Sequence, residues 1–175
     1  MVESSEKLNN QAIILAEHGE YAEAIACLKR AITVEKENFL LWFNLGITYR
    51  DSGNMTAAKA AMEKALAFNT EDEEIIEALA ILCFQNGSLD EAMAYCEMGL
   101  QLNDNNSHLW NTMGVLFFNE NAFMEAAEAF EQAVTINPYY YDALYNLHDA
   151  YEELGNTAGM QECSIRMSQI KERRQ

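Results

Sequence analysis

Histidines are the residues that could carry chemistry in this chain, but their spacing does not support it. His18, His108 and His148 are far apart, and none has a cysteine or another histidine at metal-ligand spacing. No Ser/His/Asp constellation and no glycine-rich phosphate loop can be recognised. His148 and Asp149 are neighbours, and on a helix we expect their side chains to point apart. We therefore expect no enzyme activity, no metal site and no cofactor.

The cysteines and the chain start bear on the compartment. Cys27, Cys83, Cys96 and Cys163 form no C-x-x-C pair, so they are expected to be free thiols in a reducing environment. The first residues contain no apolar run of the kind found in secretory signals, and no stretch approaches a transmembrane span. These features predict a cytoplasmic protein, with a periplasmic location open if a leader has been removed.

The charge is strongly acidic and unevenly distributed. The formal net charge is −17, from 28 acids and 11 bases, and the stretch between Lys64 and Arg166 holds 18 acids and no base. A basic surface supplies most of the affinity for nucleic acids and for anionic membranes, so we expect neither as a partner. The acids either serve solubility or attract a basic partner.

A 34-residue period organises the chain, and it is marked by turn residues at Gly19, Gly53, Gly87, Asn121 and Gly155. Glycine and asparagine best tolerate the left-handed conformation that ends many helices. The five copies contain no insertion or deletion. We expect them to form one domain over residues 1–175, with copies at 5–38, 39–72, 73–106, 107–140 and 141–174.

Each copy has the apolar spacing of two helices. In the second copy, one helical face at i, i+3, i+4 and i+7 consists of Trp42, Leu45, Gly46 and Tyr49. The facing stripe beyond the turn consists of Ala58, Met62 and Ala65. Two helices cross closely where small residues meet, and large residues fill the space beside the crossing. The pattern therefore predicts a packed helix–turn–helix unit in each copy.

These residues resemble the tetratricopeptide repeat (TPR). The second copy carries the family pattern as Trp42-x-x-Leu45-Gly46-x-x-Tyr49 followed by Ala58, and the fourth as Trp110-x-x-Met113-Gly114-x-x-Phe117 followed by Ala126, Phe130 and Pro138. The resemblance extends over residues 5–174. It implies an all-α fold, a right-handed superhelical solenoid of five TPR helix–turn–helix repeats, in which the first helices line a concave wall.

The fifth copy departs from the pattern, with His148 at the small-residue position, Met160 at the alanine position and Ser164 at a large core position. One interpretation is a capping repeat whose outer side meets water. The other is self-association through this repeat, aided by the nearby Tyr139, Tyr140 and Tyr141; these tyrosines could instead pack the turn after Pro138.

The resemblance also assigns residues to the concave wall. An apolar line is expected beside aromatic residues, spaced amides that can hydrogen-bond a peptide backbone, and charged residues. The predicted groove residues are Asn10, Ile13, Phe43, Asn44, Ile47, Arg50, Glu77, Ile81, Phe84, Asn111, Val115, Phe118, Tyr145 and Asn146. An apolar strip bordered by charge indicates a binding groove. In the alternative, the isoleucines serve helix stacking alone.

The function predicted from these features is that of an adaptor or scaffold. Its partner would be another protein, bound through a peptide or helix with apolar and basic residues that lies in the concave groove. Two alternatives stay open: a self-assembling structural TPR module, and a secretion-type chaperone for an exported client.

Overall fold

The computed structural model describes residues 4–173; Arg174, the last residue of the predicted fifth copy, lies outside this range. Within residues 4–173 all regular structure is α-helical, with no strand, so the all-α prediction is confirmed. The helices are α1 (Ser5–Glu17), α2 (Tyr21–Val34), α3 (Phe39–Asp51), α4 (Met55–Phe68), α5 (Glu73–Gln85), α6 (Leu89–Leu102), α7 (Ser107–Asn119), α8 (Phe123–Ile136), α9 (Tyr141–Glu153) and α10 (Thr157–Arg173). None of these helices is both long enough and apolar enough to cross a membrane.

The periodic turn residues end the odd-numbered helices. Gly53 adopts φ +84°. Its N–H donates to the carbonyl of Arg50 at 2.9 Å, and the next N–H, of Asn54, donates to that of Tyr49 at 2.8 Å. These bonds satisfy carbonyls left unpaired at the helix end. Asn121, which takes the same place in the fourth copy, has φ 60°, so asparagine performs the turn that glycine makes elsewhere.

The chain divides into two compact units, unit 1 (Met1–Ser88) and unit 2 (Leu89–Gln175). Unit 1 contains α1 to α5 and unit 2 contains α6 to α10. Within each unit, every helix packs against the next one along the chain. The single domain and the five repeat boundaries stay predictions.

The core of unit 1 is built around close crossings of α1 on α2 and α3 on α4. Gly46 permits the second crossing, because a Cβ atom at this position would lie 2.5 Å from Cγ of Met62 and 3.2 Å from the carbonyl oxygen of Ala58. Apolar side chains on α1, α2 and α3 fill the space beside the crossings: Leu8, Ala12, Ala24, Leu28, Ala31, Leu41 and Leu45.

Unit 2 has a corresponding close helix crossing, in which the glycine faces a phenylalanine ring in place of a methionine side chain. A Cβ atom on Gly114 of α7 would lie 2.5 Å from Cε1 of Phe130 on α8, so the phenylalanine ring occupies the space that the glycine leaves. The ring belongs to a core formed by α8, α9 and α10, which includes Ala126, Ala133, Leu144, Leu147, Cys163 and Ile170.

Candidate functional site

In unit 2, α7 and α9 together present a pocket. Val115 and Phe118 of α7, Phe130 of α8, and Asn146 and Asp149 of α9 line a space of about 270 Å³ that opens to solvent. Three apolar side chains form its floor, while an amide and a carboxylate border it. This arrangement can accept an apolar side chain and hold a polar or cationic group beside it.

The exposure of the α7 and α9 residues leaves the pocket accessible. Val115 and Phe118 are half-buried, and Tyr145 is 53% exposed. The ring of Phe118 packs edge-on against Phe123, with 5.1 Å between the ring centroids, which holds it in place. We call the surface formed by Asn111, Val115, Phe118, Tyr145, Asn146 and Asp149 the α7–α9 face.

In unit 1, α1 and α3 carry the corresponding residues. Ile13 is 41% exposed and Ile47 is half-buried. Arg50 pairs with its neighbour Asp51, with 2.8 Å between Nη2 and Oδ1, so its positive charge is balanced. We call the surface formed by Asn9, Asn10, Ile13, Asn44, Ile47 and Arg50 the α1–α3 face. Three other predicted groove residues lie on α5 and are half-buried: Glu77, Ile81 and Phe84.

Phe43 differs from the other predicted groove residues, since it is buried in unit 1 with 8% of its surface exposed. Tyr145 holds the same repeat position in the fifth copy and is 53% exposed. Phe43 therefore offers little surface to a partner, and the accessible apolar residues of the α1–α3 face are Ile13 and Ile47.

In each of the two faces, a pair of asparagines joins the two helices by a side-chain hydrogen bond. Nδ2 of Asn44 donates to Oδ1 of Asn9 at 2.8 Å, and Nδ2 of Asn146 donates to Oδ1 of Asn111 at 3.0 Å. Each pair spans 35 residues and joins the fifth position of one repeat to the sixth position of the next, so Asn9 belongs with the groove residues of its face. An amide nitrogen carries two N–H groups, so each donor keeps one for a peptide carbonyl.

His148 and Asp149 correct one expectation. Their side chains do not point apart, because His148 Nδ1 lies 3.4 Å from Asp149 Oδ1. Rotation about the side-chain bonds brings adjacent residues to the same side of the helix. Together with Glu152, they place three potential ligand atoms within 4.8 Å of one another. Glu152 is exposed and the other two are half-buried; acidic groups near a surface are common without an ion, and we assign these three no metal.

The titratable groups with shifted pKa values lie away from both faces. Burial, followed by the hydrogen bond to Glu131, raises the pKa of Tyr151 well above its ordinary range. Burial also raises the pKa of the Cys163 thiol, which makes the reactive thiolate scarcer. Hydrogen bonds from Ser5 and Asn38 lower the pKa of the Glu35 carboxyl. The shifts at Tyr151 and Cys163 reflect burial between helices, whereas that of the exposed Glu35 carboxyl reflects its hydrogen bonds.

Comparison with known families identifies the class of protein. Three family models described as tetratricopeptide repeat match residues 9–74, 49–116 and 107–140. Between them these matches extend from residue 9 to residue 140, well over half of the chain. The chain belongs to the tetratricopeptide repeat family, whose members are generally non-enzymatic adaptors.

Solved structures share the fold over nearly the whole chain. A crystal structure of MamA matches with a TM-score of 0.85 and 20% identity, covering 98% of this chain and 94% of that one. YrrB, described as a TPR protein with an unusual peptide-binding site, matches with a TM-score of 0.75 and 22% identity, covering 97% and 93%. PilF from Pseudomonas aeruginosa gives 0.84 and 14%, covering 94% and 75%. No curated protein sequence matches the chain.

Proposed function

We propose that this protein is an adaptor that binds a peptide or helix through the α7–α9 face, with the α1–α3 face as a second binding surface of the same kind. The observation that carries the proposal is the open pocket floored by Val115, Phe118 and Phe130 and bordered by Asn146 and Asp149. A peptide-binding site is ascribed to YrrB, which has the same fold, and this supports the same class of function here.

Charge on the α7–α9 face favours a basic partner. Neither α7 nor α9 contains a lysine or arginine, whereas α9 carries Asp142, Asp149, Glu152 and Glu153. A lysine or arginine next to an apolar anchor would bring its charge toward these carboxylates. Such attraction speeds association and weakens as salt rises.

The expected affinity is modest. Burying a side chain of this kind stabilises a complex by about 1.5–3 kcal/mol, and the two faces offer a handful of accessible apolar residues. Association costs about 4–15 kcal/mol in lost freedom and ordering. The balance favours roughly micromolar binding.

The proposal predicts that Val115→Lys reduces partner binding at least ~10-fold while the protein stays folded. The substitution removes an apolar contact from the pocket floor and places an ammonium group where it repels a basic partner. Partners are first captured from the native cell and identified by mass spectrometry, and binding is then measured by calorimetry at low and high salt.

Met124→Lys is the matched control, because Met124 is 64% exposed on α8 and does not line the pocket. It adds the same charge to unit 2 and should leave binding unchanged. Wild-type affinity of a folded Val115→Lys variant, or binding that does not respond to salt, would contradict the proposal.

A second candidate function is self-association through α9 and α10. Ile165 is 54% exposed, and together with His148, Met160 and Ser164 it borders an open hollow at this side of unit 2. Size-exclusion chromatography with light scattering should then show dimers or larger species at high protein concentration, and Ile165→Lys should return them to monomers. A wild-type monomer at every concentration tested rules this candidate out.

Two finer hypotheses stay predictions: a secretion-type chaperone role and a cytoplasmic location. All four cysteines are buried and none forms a disulfide, which is compatible with a reducing compartment.

A further inference from the structure

Unit 1 contains a groove that is separate from the α1–α3 face and lies on other helix surfaces. α2, α3 and α4 line a space of about 750 Å³ that is open to solvent. Its floor and walls are apolar, formed by Ile32, Trp42, Leu45, Tyr49, Ala57, Ala60 and Ala61, while Lys29 and Lys64 stand at its edges. We call it the lysine-edged groove.

The same place in unit 2 holds a groove with the opposite charge. Two repeat periods after Trp42, Tyr49 and Ala61 come Trp110, Phe117 and Ala129, which line a space of about 710 Å³. The remaining lining residues are Glu125, Glu128, Glu131 and Gln132. We call this the glutamate-edged groove.

The floors of the two grooves are alike because the fold requires them. Nε1 of Trp42 donates to the carbonyl of Lys36 and Nε1 of Trp110 donates to that of Asp104, both at 2.7 Å. With the indole N–H satisfied by the backbone, the rest of each ring is left to pack and to face its groove. The floors therefore follow from helix packing in each unit.

The second helix of each groove carries different residues at corresponding positions. Ala57 and Ala60, which are wall residues of the lysine-edged groove, correspond to Glu125 and Glu128 in the glutamate-edged groove, and the edge residue Lys64 corresponds to Gln132. Both units fold with their own residues at these positions. Helix packing therefore does not determine which side chains stand there, and a ligand that enters the groove can.

The two edge lysines are available to a ligand. Nζ of Lys29 lies 5.7 Å from the ring centroid of Tyr49, and Nζ of Lys64 lies 5.2 Å from that of Phe68, so aromatic rings hold both groups near the groove. Glu63 is the acid next to Lys64 on α4, and its Oε1 lies 3.7 Å from Nζ of Lys59. The carboxylate of Glu63 is thus paired with Lys59, so a carboxylate from a partner could approach Lys29 and Lys64 without breaking this pair.

We propose that the lysine-edged groove is a docking site for an acidic segment of a partner protein, with an apolar anchor side chain flanked by aspartate or glutamate. The anchor lies against Trp42 and Tyr49 between the alanines of α4, and the flanking carboxylates pair with Lys29 and Lys64. The glutamate-edged groove offers an apolar floor of the same kind but repels this segment. The partner chemistry is thus the reverse of that proposed for the α7–α9 face.

The two tryptophans of the chain provide the test, because one lies in each groove. The protein is labelled with 5-fluorotryptophan, and its two ¹⁹F signals are assigned with Trp42→Phe and Trp110→Phe. The probes are two pools of short synthetic peptides with leucine or phenylalanine anchors, flanked by glutamate in one pool and by lysine in the other. The glutamate pool should shift the Trp42 signal and leave the Trp110 signal in place.

Charge reversal at the groove edge gives the second measurement. The double variant Lys29→Glu/Lys64→Glu should weaken binding of the glutamate pool about tenfold, since two exposed attractions become repulsions. Lys7→Glu/Lys171→Glu changes the net charge equally at sites that do not line the groove, and it should bind as the wild type does. Circular dichroism melts establish that both variants are folded.

Three results would overturn the assignment. The first is a Trp42 signal that the glutamate pool does not move, and the second is one that both pools move equally. The third is unchanged binding in folded Lys29→Glu/Lys64→Glu. Anionic phospholipid vesicles that move the Trp42 signal when the glutamate pool does not would replace the protein partner with a lipid surface. Because Val115 lies outside this groove, Val115→Lys should leave these shifts intact, which separates this test from that of the α7–α9 face.

Discussion

Replacing Phe130 with alanine is expected to lower the free energy of unfolding by about 3–5 kcal/mol. The ring is 1% exposed and lies in the core shared by α8, α9 and α10. Removing it leaves a cavity beside Gly114, a residue with no side chain that could move in and fill the space. Urea unfolding followed by circular dichroism measures the change, with separate fits if the two units unfold in separate steps.

Phe123→Ala is the matched control, because Phe123 lies on the same helix but is half-buried and makes its ring contact with Phe118 near the surface. Its loss should cost clearly less than the loss of Phe130. Equal destabilisation by the two substitutions would show that the buried Phe130 ring has no special part in stabilising the crossing of α7 and α8.

Gly114→Ala is expected to destabilise the protein by about 1–3 kcal/mol, although it adds a single methyl group to a helix. The new Cβ would lie 2.5 Å from Cε1 and 2.6 Å from Cδ1 of Phe130, and a buried ring cannot bend away from it. Adding Phe130→Leu to Gly114→Ala should restore part of the loss, because leucine is more compact at the point of contact. A double-mutant cycle measures this coupling.

Gly46→Ala serves as the comparison for Gly114→Ala. Its Cβ would meet Cγ of Met62 at 2.5 Å, and the backbone of α4 lies close behind, with the carbonyl oxygen of Ala58 at 3.2 Å and the amide nitrogen of Met62 at 3.3 Å. The methionine side chain can rotate, but the backbone atoms move only if the two helices separate, so the cost should be similar to that at Gly114. Strictly additive effects of Gly114→Ala and Phe130→Leu, or no cost at Gly46, would contradict the steric explanation.

The fold could be predicted from the sequence because the repeat period and the packing requirement agree. Small residues recur where first and second helices cross, and a large residue sixteen positions later fills the space, as with Gly46 and Met62 or Gly114 and Phe130. In the fifth copy the sizes are exchanged, with His148 large and Ser164 small. Both side chains line the same open hollow, so the two departures from the repeat pattern occur at one place in the structure.

The candidate site could be predicted less completely, because exposure depends on neighbours that the period does not specify. Phe43 and Tyr145 hold the same repeat position, yet one is buried and the other exposed. The sequence indicates the charge contrast of the two grooves, because no lysine or arginine occurs between Lys64 and Arg166. It does not indicate which residues line the same groove, since that depends on helix packing. The α7–α9 and α1–α3 faces stay proposals until a partner is tested.

The cysteines give the molecule a set of natural probes of local opening. Cys27, Cys83, Cys96 and Cys163 are buried, unlinked, and distributed over α2, α5, α6 and α10. A thiol reagent reaches each sulfur when the helix around it opens, so the modification rate at each position reports the local opening equilibrium of its helix. Mass spectrometry of partly modified protein could therefore show which end of the chain loosens first, without any engineered label.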